Sequence, residues 1–272
     1  MSDPELVAKH YTGSVFDFEN VRLTEHSPVE FAIAKRFLDR WIPAGAFVAE
    51  IGVGVGHYSE HLARRGCRIH PVDIGERLLD AAVTRLRSAG LDRQLLGASR
   101  LSATDLSALP EGIFDAVLLL GPLYHLRHLS DRQRALEQAA RLLKSGGLVY
   151  AAGINRLAYP RDLYRNSPQS ATQRRAFHEQ FLRDGNLDPE HAPPIGFAHL
   201  TTVDEFRALF QGRFQELLLA GVESFTSAWQ PALNGLTPDE MTPWLDLVEQ
   251  TAATPEGLGQ SDHFLFVGRK LN

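Results

Sequence analysis

Three closely spaced glycines with two flanking acids are the residues of this sequence whose types and spacing best suggest a ligand site. Gly52, Gly54 and Gly56 follow an apolar run, Glu50 stands just before them, and Asp73 ends the next apolar run. Because glycine has no Cβ, such a loop lets the backbone approach a ligand closely, and the helix after it points N–H groups at that ligand. The pattern predicts a loop that binds a nucleotide-like molecule.

The acids indicate which nucleotide-like molecule fits the loop better. A dinucleotide site has the spacing G-x-G-x-x-G, and its third glycine would stand where this sequence has His57, whose ring would crowd the contact between helix and strand. Glu50 also fits poorly beside a pyrophosphate, but it suits the ammonium group of an amino acid. Asp73 can accept hydrogen bonds from both ribose hydroxyls, and it can also cap the following helix. The set favours S-adenosylmethionine over a dinucleotide.

Apolar segments that alternate with helical patterns must position these residues. The predicted strands are residues 46–51, 68–72, 95–101, 114–120 and 147–152, and the predicted helices are residues 29–40, 58–65, 76–89 and 131–143. Near-continuous apolar strands in such an alternation indicate a parallel sheet covered by helices on both faces. The pattern breaks after residue 155, which predicts an insertion with a helix at 171–182. It resumes with a helix at 203–210 and two strands, 214–222 and 263–269, which we expect to form an antiparallel edge pair.

The segment from Phe114 to Leu126, FDAVLLLGPLYHL, resembles the class I S-adenosylmethionine-dependent methyltransferases, specifically a bacterial group that acts on small molecules. The resemblance extends over most of the chain and includes Arg22-Leu23, Glu30-Phe31, the segment 142–148 and Ser261-Asp262-His263. It implies an α/β, Rossmann-like fold with a seven-stranded, mostly parallel sheet whose last strand is antiparallel, plus a helical N-terminal segment and an insertion. It also implies S-adenosyl-L-methionine as the cofactor and S-adenosyl-L-homocysteine as its product.

The resemblance assigns expected roles to residues of the cofactor site. Glu50 and the glycines are expected at the methionine moiety and Asp73 at the ribose. Arg22 is a candidate partner for the methionine carboxylate, because a guanidinium pairs well with a carboxylate, and a solvated surface arginine is the alternative. Where relatives have Gly-Asp after the third strand, this sequence has Leu101-Ser102, so the adenine is expected at the Ser102 hydroxyl and the Ala103 backbone, with Asp105 as the alternative. The predicted cofactor-binding residues are Tyr11, Arg22, Glu50, Gly52, Gly54, Gly56, Asp73, Ile74, Ser102, Ala103 and Leu120.

Methyl transfer from a sulfonium needs few catalytic residues, because the donor is already activated and the enzyme mainly aligns donor and acceptor in a dry pocket. The predicted catalytic residues are Tyr124, His125 and Tyr11. Tyr124 and His125 follow a strand at its carboxyl end, where open α/β sheets bind ligands. His125 is a candidate general base, and a structural histidine is the alternative. Tyr124 is expected to shape the pocket and Tyr11 to contact the cofactor from an N-terminal lid, on which His10 is a further candidate base.

Composition and charge limit the expected partners. The chain has 28 basic and 33 acidic residues, a net charge of −5, so no basic surface is predicted for a nucleic acid. No apolar stretch approaches the length of a membrane span. A single cysteine, Cys67, excludes an internal disulfide and favours a cytoplasmic location. His57 and His61 have the helical spacing of some metal pairs, but a third ligand of suitable spacing is missing, so no metal is expected.

Four segments are predicted along the chain: an N-terminal helical lid (1–45), a cofactor-binding core (46–154), a helical insertion that caps the acceptor (155–200) and the C-terminal part of the core sheet (201–272). The predicted function is methyl transfer to an N, O or C nucleophile of a small molecule, with a secondary metabolite as one candidate. Two alternatives stay open. One is a methyltransferase for RNA or protein, which requires a clustered basic groove, and the other is a non-catalytic module that binds S-adenosylmethionine. The sequence does not define the oligomeric state.

Overall fold

A seven-stranded sheet forms the centre of the computed structural model, which describes residues 3–11, 14–192, 195–233 and 235–271. Its strands are β1 (Phe47–Ile51), β2 (Arg68–Asp73), β3 (Ser99–Arg100), β4 (Phe114–Leu119), β5 (Leu143–Ile154), β8 (Phe214–Gly221) and β9 (His263–Lys270). A separate two-stranded antiparallel sheet consists of β6 (Asn186–Leu187) and β7 (Ala198–His199). The strand order in the large sheet is β3-β2-β1-β4-β5-β9-β8.

The first five strands run parallel, whereas β9 is antiparallel to both of its neighbours, β5 and β8. This arrangement confirms the predicted Rossmann-like α/β fold with an antiparallel last strand, and the predicted antiparallel pair at the end of the sheet. β1 lies between β2 and β4, so the strand order reverses beside it. In open α/β sheets such a switch point creates a crevice at the carboxyl ends of the strands, where ligands bind.

Both faces of the sheet are covered, as the near-continuous apolar strands predicted. The helices of the two layers are α3 (Pro28–Trp41), α4 (His57–Arg64), α5 (Glu76–Ser88), α7 (Leu129–Leu142), α11 (Val203–Ala208), α12 (Pro238–Thr251) and α13 (Pro255–Gln260). Successive strand residues point to opposite faces. Val48 therefore packs in one cluster with Ile33 of α3, and Ala49 in the other with Leu136 of α7. The two layers hold the strand ends in place.

A 3-10 helix, Asp92–Gln94, follows α5. Most of the other helices belong to the N-terminal segment, the turn after β4 and the insertion. They are α1 (Asp3–His10), α2 (Ser14–Val21), a π-helix (Arg22–His26), α6 (Pro122–His125), α8 (Ala158–Asn166), α9 (Ser170–Gln173) and α10 (Arg175–Asp184), and a 3-10 helix follows β8 at Ser224–Leu233. The insertion has a small core of its own, in which Tyr159 and Phe181 pack with Leu187 and Leu200. In the described ranges, no helix has both the length and the apolar character needed to cross a membrane.

Two secondary-structure predictions differ from the structure, and two helices were not predicted. The single helix expected at 171–182 is wrong, because Arg174, with φ −124° and ψ 31°, separates α9 from α10. The strand expected at 95–101 is limited to β3. The helices α12 and α13 were not predicted, although Thr237 and Glu240 form a capping box that marks the start of α12.

Candidate active site

A cavity opens at the carboxyl ends of β1, β2 and β4, with α6 and the N-terminal helices contributing to its walls. Its empty volume is about 1040 Å³, part of which is open to solvent. It brings together every residue predicted from the sequence for the cofactor or for catalysis: Tyr11, Arg22, Glu50, Gly52, Gly54, Gly56, Asp73, Ile74, Ser102, Ala103, Leu120, Tyr124 and His125.

The cavity wall also contains residues that were not assigned to it from the sequence: Val7, Glu19, Leu23, Val53, Val55, His57, Tyr58, Leu78, Leu101, Gly121, Pro122 and Leu126. Most are neighbours in sequence of predicted residues, so their position next to the glycine loop or to Tyr124 was an available signal. Glu19 had no such signal. Asp105, the alternative adenine contact, does not line the cavity, and its carboxylate instead accepts hydrogen bonds from the backbone and hydroxyl of Ser107.

Two glycines of the loop show why glycine is required there. Gly54 has φ +56°, in the left-handed region, and a Cβ added to it would meet no atom within 4 Å, so it would project into open space. Gly56, with φ +84°, lies so close to α5 that an added Cβ would be 2.9 Å from Cβ of Ala82. Gly54 therefore leaves room for a ligand, and Gly56 lets the loop pack against the helix.

The loop N–H groups are mostly used inside the protein. Gly52 and Val53 both donate to the carbonyl of Val72, at 2.8 and 3.0 Å, and Gly54 donates to Oδ2 of Asp73 at 3.0 Å. A pyrophosphate site depends on backbone N–H groups that point at the ligand. In this loop the backbone N–H of Gly54 instead binds the carboxylate of Asp73. This agrees with the expectation that the loop does not hold a dinucleotide.

Two buried carboxyl groups flank the loop. Glu50 accepts a hydrogen bond from the Ser59 hydroxyl at 2.5 Å, and burial raises its pKa to about 8. Asp73 accepts hydrogen bonds from the N–H groups of Gly54 and Gly75, and burial nevertheless raises its pKa to about 6. A carboxylate has about four lone-pair sites, so both groups retain capacity for a ligand. A cationic neighbour would stabilise their ionised forms.

Arg22 lies in the wall as a paired cation. Its Nη1 donates to Oε2 of Glu30 at 2.8 Å, and its Nε donates to Oε2 of Glu19 at 3.3 Å. Burial opposes the charge, but Glu30 and Glu19 outweigh it and raise the pKa of Arg22. The alternative of a solvated surface arginine is therefore wrong, because both ion pairs are largely shielded from water.

His125 joins three segments of the chain through its imidazole ring. Its Nδ1 lies 2.9 Å from the carbonyl oxygen of Phe197, and its Nε2 lies 2.7 Å from the hydroxyl of Tyr11. A carbonyl can only accept, so the Nδ1 carries the proton and Nε2 of the neutral ring accepts from Tyr11. Burial lowers the pKa of His125 to about 4. At neutral pH this histidine is thus neutral, with a lone pair on the Nε2 that faces Tyr11.

Tyr124 packs against the same histidine, with ring centroids 4.8 Å apart. Burial raises the pKa of Tyr124 above its usual value, so its hydroxyl stays protonated at neutral pH. This supports the expectation that Tyr124 shapes the pocket and does not act as a base.

The N-terminal helices are attached to the core by polar and ring contacts. Nε2 of His57 lies 3.1 Å from the carbonyl of Asn20, and Nη2 of Arg85 donates to the Asn20 side chain at 3.0 Å. The guanidinium of Arg77 stacks on the ring of Phe16, with its Cζ 3.8 Å from the ring centroid.

Three other histidines that the structure describes, His61, His10 and His199, do not line the cavity. His61 bonds to Asp39 of α3 at 2.7 Å, so it does not share a partner with His57. His10 packs edge-on against Tyr11 and does not line the cavity. His199, in the small sheet, has its Nδ1 3.1 Å from the side chain of Asn186.

The sequence of the core matches known methyltransferases. Residues 49–151 match the model of a family described as a methyltransferase domain. A ubiquinone biosynthesis O-methyltransferase from Caulobacter vibrioides is 34% identical over 112 residues, which are 41% of this chain and 42% of that protein. An S-adenosyl-L-methionine-dependent Diels-Alderase from Talaromyces variabilis is 30% identical over 115 residues, 42% of this chain and 38% of that protein. The matched segment thus spans less than half of the length of either relative.

The fold is similar to solved methyltransferase structures over the whole chain. One of them is the 1,6-didemethyltoxoflavin-N1-methyltransferase of Burkholderia thailandensis with bound 1,6-didemethyltoxoflavin and S-adenosylhomocysteine, with a TM-score of 0.62, 14% identity, and coverage of 100% of this chain and 92% of that one. At this identity the likeness concerns the fold alone. Residues 49–151 thus match a methyltransferase domain, and the strand order and the fold agree with the resemblance of the chain to the class I S-adenosylmethionine-dependent methyltransferases.

Proposed function

We propose that this protein transfers a methyl group from S-adenosylmethionine to an N, O or C nucleophile of a small molecule. One observation carries the proposal: a single cavity holds two buried carboxyl groups and a paired arginine beside a neutral histidine whose Nε2 has a lone pair. The acids and the arginine suit a nucleoside that bears an amino acid. The histidine can accept the proton of an acceptor group.

The residues present fit S-adenosylmethionine at its charged end. Glu50 would bind the ammonium, since a cation stabilises its ionised form. Arg22 would bind the carboxylate, and Asp73 would accept hydrogen bonds from the ribose hydroxyls through the lone pairs left free by Gly54 and Gly75.

The adenine end is bounded by backbone and apolar side chains. The Ser102 hydroxyl already bonds to that of Thr104 at 2.9 Å, so we assign the adenine contact first to the backbone of Ala103. Ile74 and Leu78 line the same cavity and offer apolar surface for the ring. This arrangement replaces the Asp that relatives carry after the third strand.

When bound, S-adenosylmethionine supplies an electrophilic methyl carbon on a sulfonium. Transfer of that methyl group to the acceptor atom would leave S-adenosylhomocysteine, and an acceptor that carries a proton would have to lose it. Nε2 of His125 takes this proton, after the Tyr11 hydroxyl has moved from it or by transfer through that hydroxyl. Tyr124 and the apolar wall exclude water, which favours the displacement.

We further propose that segment 1–45 acts as a lid and segment 155–200 as the acceptor cap over a core formed by 46–154 and 201–272. Tyr11 and Arg22 of the first segment line the cavity, and the carbonyl of Phe197 in the second orients His125. A cytoplasmic location stays a prediction from the single cysteine, Cys67, which is buried and free.

A small-molecule acceptor is favoured over RNA or protein by the net charge of −5 and by the position of His125, which lies in the wall of a cavity and is buried. The O-methyltransferase and N1-methyltransferase similarities concern other proteins with different acceptor atoms, so they support the class of acceptor and leave its atom open. The partial identity to a Diels-Alderase supports a second candidate, in which the cofactor is bound and no methyl group is transferred.

Incubation with methyl-labelled S-adenosylmethionine and fractions of small metabolites tests the proposal. We expect S-adenosylhomocysteine and a labelled small product to form in equal amounts, while RNA and bulk protein fractions gain no label. Conversion of a metabolite without S-adenosylhomocysteine would favour the second candidate. Tight cofactor binding without any conversion would favour the non-catalytic module.

A further inference from the structure

Four ionisable side chains from distant parts of the sequence meet behind one part of the cavity wall. Nη1 of Arg22 bonds to Oε2 of Glu30 at 2.8 Å, and Nδ1 of His263 lies 3.7 Å from the same oxygen. Nδ1 of His263 also bonds to Oε1 of Glu223 at 2.5 Å. We name these residues the Arg22–Glu223 network. Arg22 is the member that lines the cavity.

Glu223 anchors the network. Its side chain has no exposed surface, and both of its carboxylate oxygens are bonded. Oε2 accepts from the Ser261 hydroxyl and from the backbone N–H of His263, and Oε1 accepts from Nδ1 of His263. A fully buried carboxylate is tolerated when such donors replace water. Together these bonds fix the position of the imidazole.

His263 supplies a positive charge between two carboxylates. Burial alone lowers the pKa of this imidazole, but Glu30 and Glu223 raise it to about 9, against a smaller opposing effect of Arg22. The groups that face it are Glu30 on α3, Glu223 after β8, Arg22 on the π-helix and the non-titrating Ser261. At neutral pH the ring is protonated, and it loses its proton as the pH rises through about 9. Without that charge the two carboxylates repel each other.

We propose that Glu223, His263 and Glu30 are positioning residues that hold the Arg22 guanidinium for the carboxylate of the cofactor's amino-acid group. This inference rests on the proposed function. Glu30 engages Nη1 and Glu19 engages Nε, which fixes the plane of a group that has five N–H donors in all. A fixed plane favours bidentate pairing with a planar carboxylate.

The charge balance gives the network a second effect on an incoming carboxylate. Arg22 and protonated His263 carry two positive charges, whereas Glu19, Glu30 and Glu223 carry three negative charges. Loss of the His263 charge therefore makes this region more negative at the place where an anionic group must bind, and weakens that binding.

The same atoms could be considered as ligands of a cation, because those of Glu30, Glu223 and His263 lie within 4.8 Å of one another. The hydrogen bonds favour a charge network. Nδ1 of His263 directs its proton at Glu223, Ser261 occupies the other oxygen of Glu223, and Arg22 already supplies positive charge to Glu30.

The experiment compares two ligands that differ only in the carboxylate. S-adenosylhomocysteine has it, and decarboxylated S-adenosylhomocysteine keeps the adenosine, the sulfur and the amine. For His263→Gln we expect the affinity for S-adenosylhomocysteine to fall about tenfold, and that for the decarboxylated ligand to stay within about twofold. His61→Gln is the matched control, because it removes a histidine–carboxylate pair outside the cavity, and it should change neither affinity.

Two further measurements keep the inference open to contradiction if His263→Gln does not fold. Glu223→Gln keeps nearly the same side-chain shape. It should reduce the ratio of the affinity for S-adenosylhomocysteine to the affinity for the decarboxylated ligand. In the wild-type protein the ratio of the two affinities should fall several-fold between pH 7.5 and 9.5, and in a folded His263→Gln variant it should stay nearly constant. Equal weakening of both ligands, or a pH profile shared by both proteins, would overturn the inference. A wild-type protein that binds neither ligand would instead refute the proposed function.

Discussion

The hydroxyl of Tyr11 lies 2.7 Å from Nε2 of His125, while Nδ1 of the same ring lies 2.9 Å from the carbonyl of Phe197. One imidazole thus connects the N-terminal segment, the end of β4 and the insertion. The bond to Phe197 sets the tautomer, and the bond to Tyr11 covers the nitrogen that would act as the base. Acceptor binding at Nε2 therefore requires the Tyr11 hydroxyl to move or to relay the proton.

Tyr11→Phe should loosen the N-terminal segment while keeping its ring contact with His125. A neutral hydrogen bond contributes about 0.5–1.5 kcal/mol, so we expect the affinity for S-adenosylhomocysteine to fall about two- to tenfold. Titration calorimetry measures this change. An unchanged affinity together with unchanged turnover would contradict a role for the hydroxyl as a closing contact.

His125→Asn separates the two roles of the histidine. The asparagine amide can still donate to the Phe197 carbonyl, but it cannot accept a proton as a base. We expect kcat to fall about 10²–10⁴-fold, the usual contribution of a general base. The affinity for S-adenosylhomocysteine should fall no more than in Tyr11→Phe, because both variants lose the same hydrogen bond between Tyr11 and His125. If kcat is retained in this variant, His125 is structural and the acceptor needs no base from it.

Binding of S-adenosylmethionine should release a proton from Glu50. Its pKa of about 8 in the free protein means that the carboxyl is mostly protonated at pH 7, and the ligand's ammonium would lower that pKa. We therefore expect about one proton released per ligand at pH 7, and an affinity that rises with pH toward 8. Calorimetry in buffers of different ionisation enthalpy counts the protons, and Glu50→Gln should abolish the release. Equal proton release by the variant would show that another group is responsible.

Gly54→Ala should weaken cofactor binding more than it weakens the fold. The new methyl group would project into the open space of the cavity. The backbone at position 54 has φ +56°, and a residue with a Cβ in this left-handed conformation costs roughly 1–2 kcal/mol. Gly90→Ala is the matched control, since Gly90 has φ +72° and equally open surroundings away from the cavity. Both variants should lose similar free energy of unfolding, measured by denaturant, but Gly54→Ala alone should lose about tenfold or more in affinity for S-adenosylhomocysteine. A similar loss of affinity in both variants would contradict this placement of the ligand.

Local sequence patterns predicted much of the fold and the part of the site that binds the methyl donor. Continuous apolar runs located β1, β2 and β4, and the parallel sheet then required Glu50, the glycines and Asp73 to meet at one edge. The N-terminal segment lacks a comparable pattern, so nothing marked Glu19 as a wall residue beside Arg22.

The spacing of residues along the sequence does not show which distant residues meet in the folded protein. Tyr11 and His125 are separated by 114 positions, and their hydrogen bond depends on how the N-terminal helices pack. The pKa values of Glu50 and His125 depend on burial in the assembled cavity, and burial is a property of the fold. Arg22, Glu30 and His263 belonged to segments that resembled one family, but their meeting in one charge network follows from tertiary contacts that join the π-helix, α3 and β9.

The central claim is that this cavity holds S-adenosylmethionine, and titration calorimetry of the folded wild-type protein with S-adenosylhomocysteine tests it most directly, with nicotinamide dinucleotide as the comparison ligand. We expect one binding site per chain for S-adenosylhomocysteine, with an affinity that is reduced in Gly54→Ala, and no detectable heat with the dinucleotide. A folded protein that binds the dinucleotide, or that does not bind S-adenosylhomocysteine, would contradict the account.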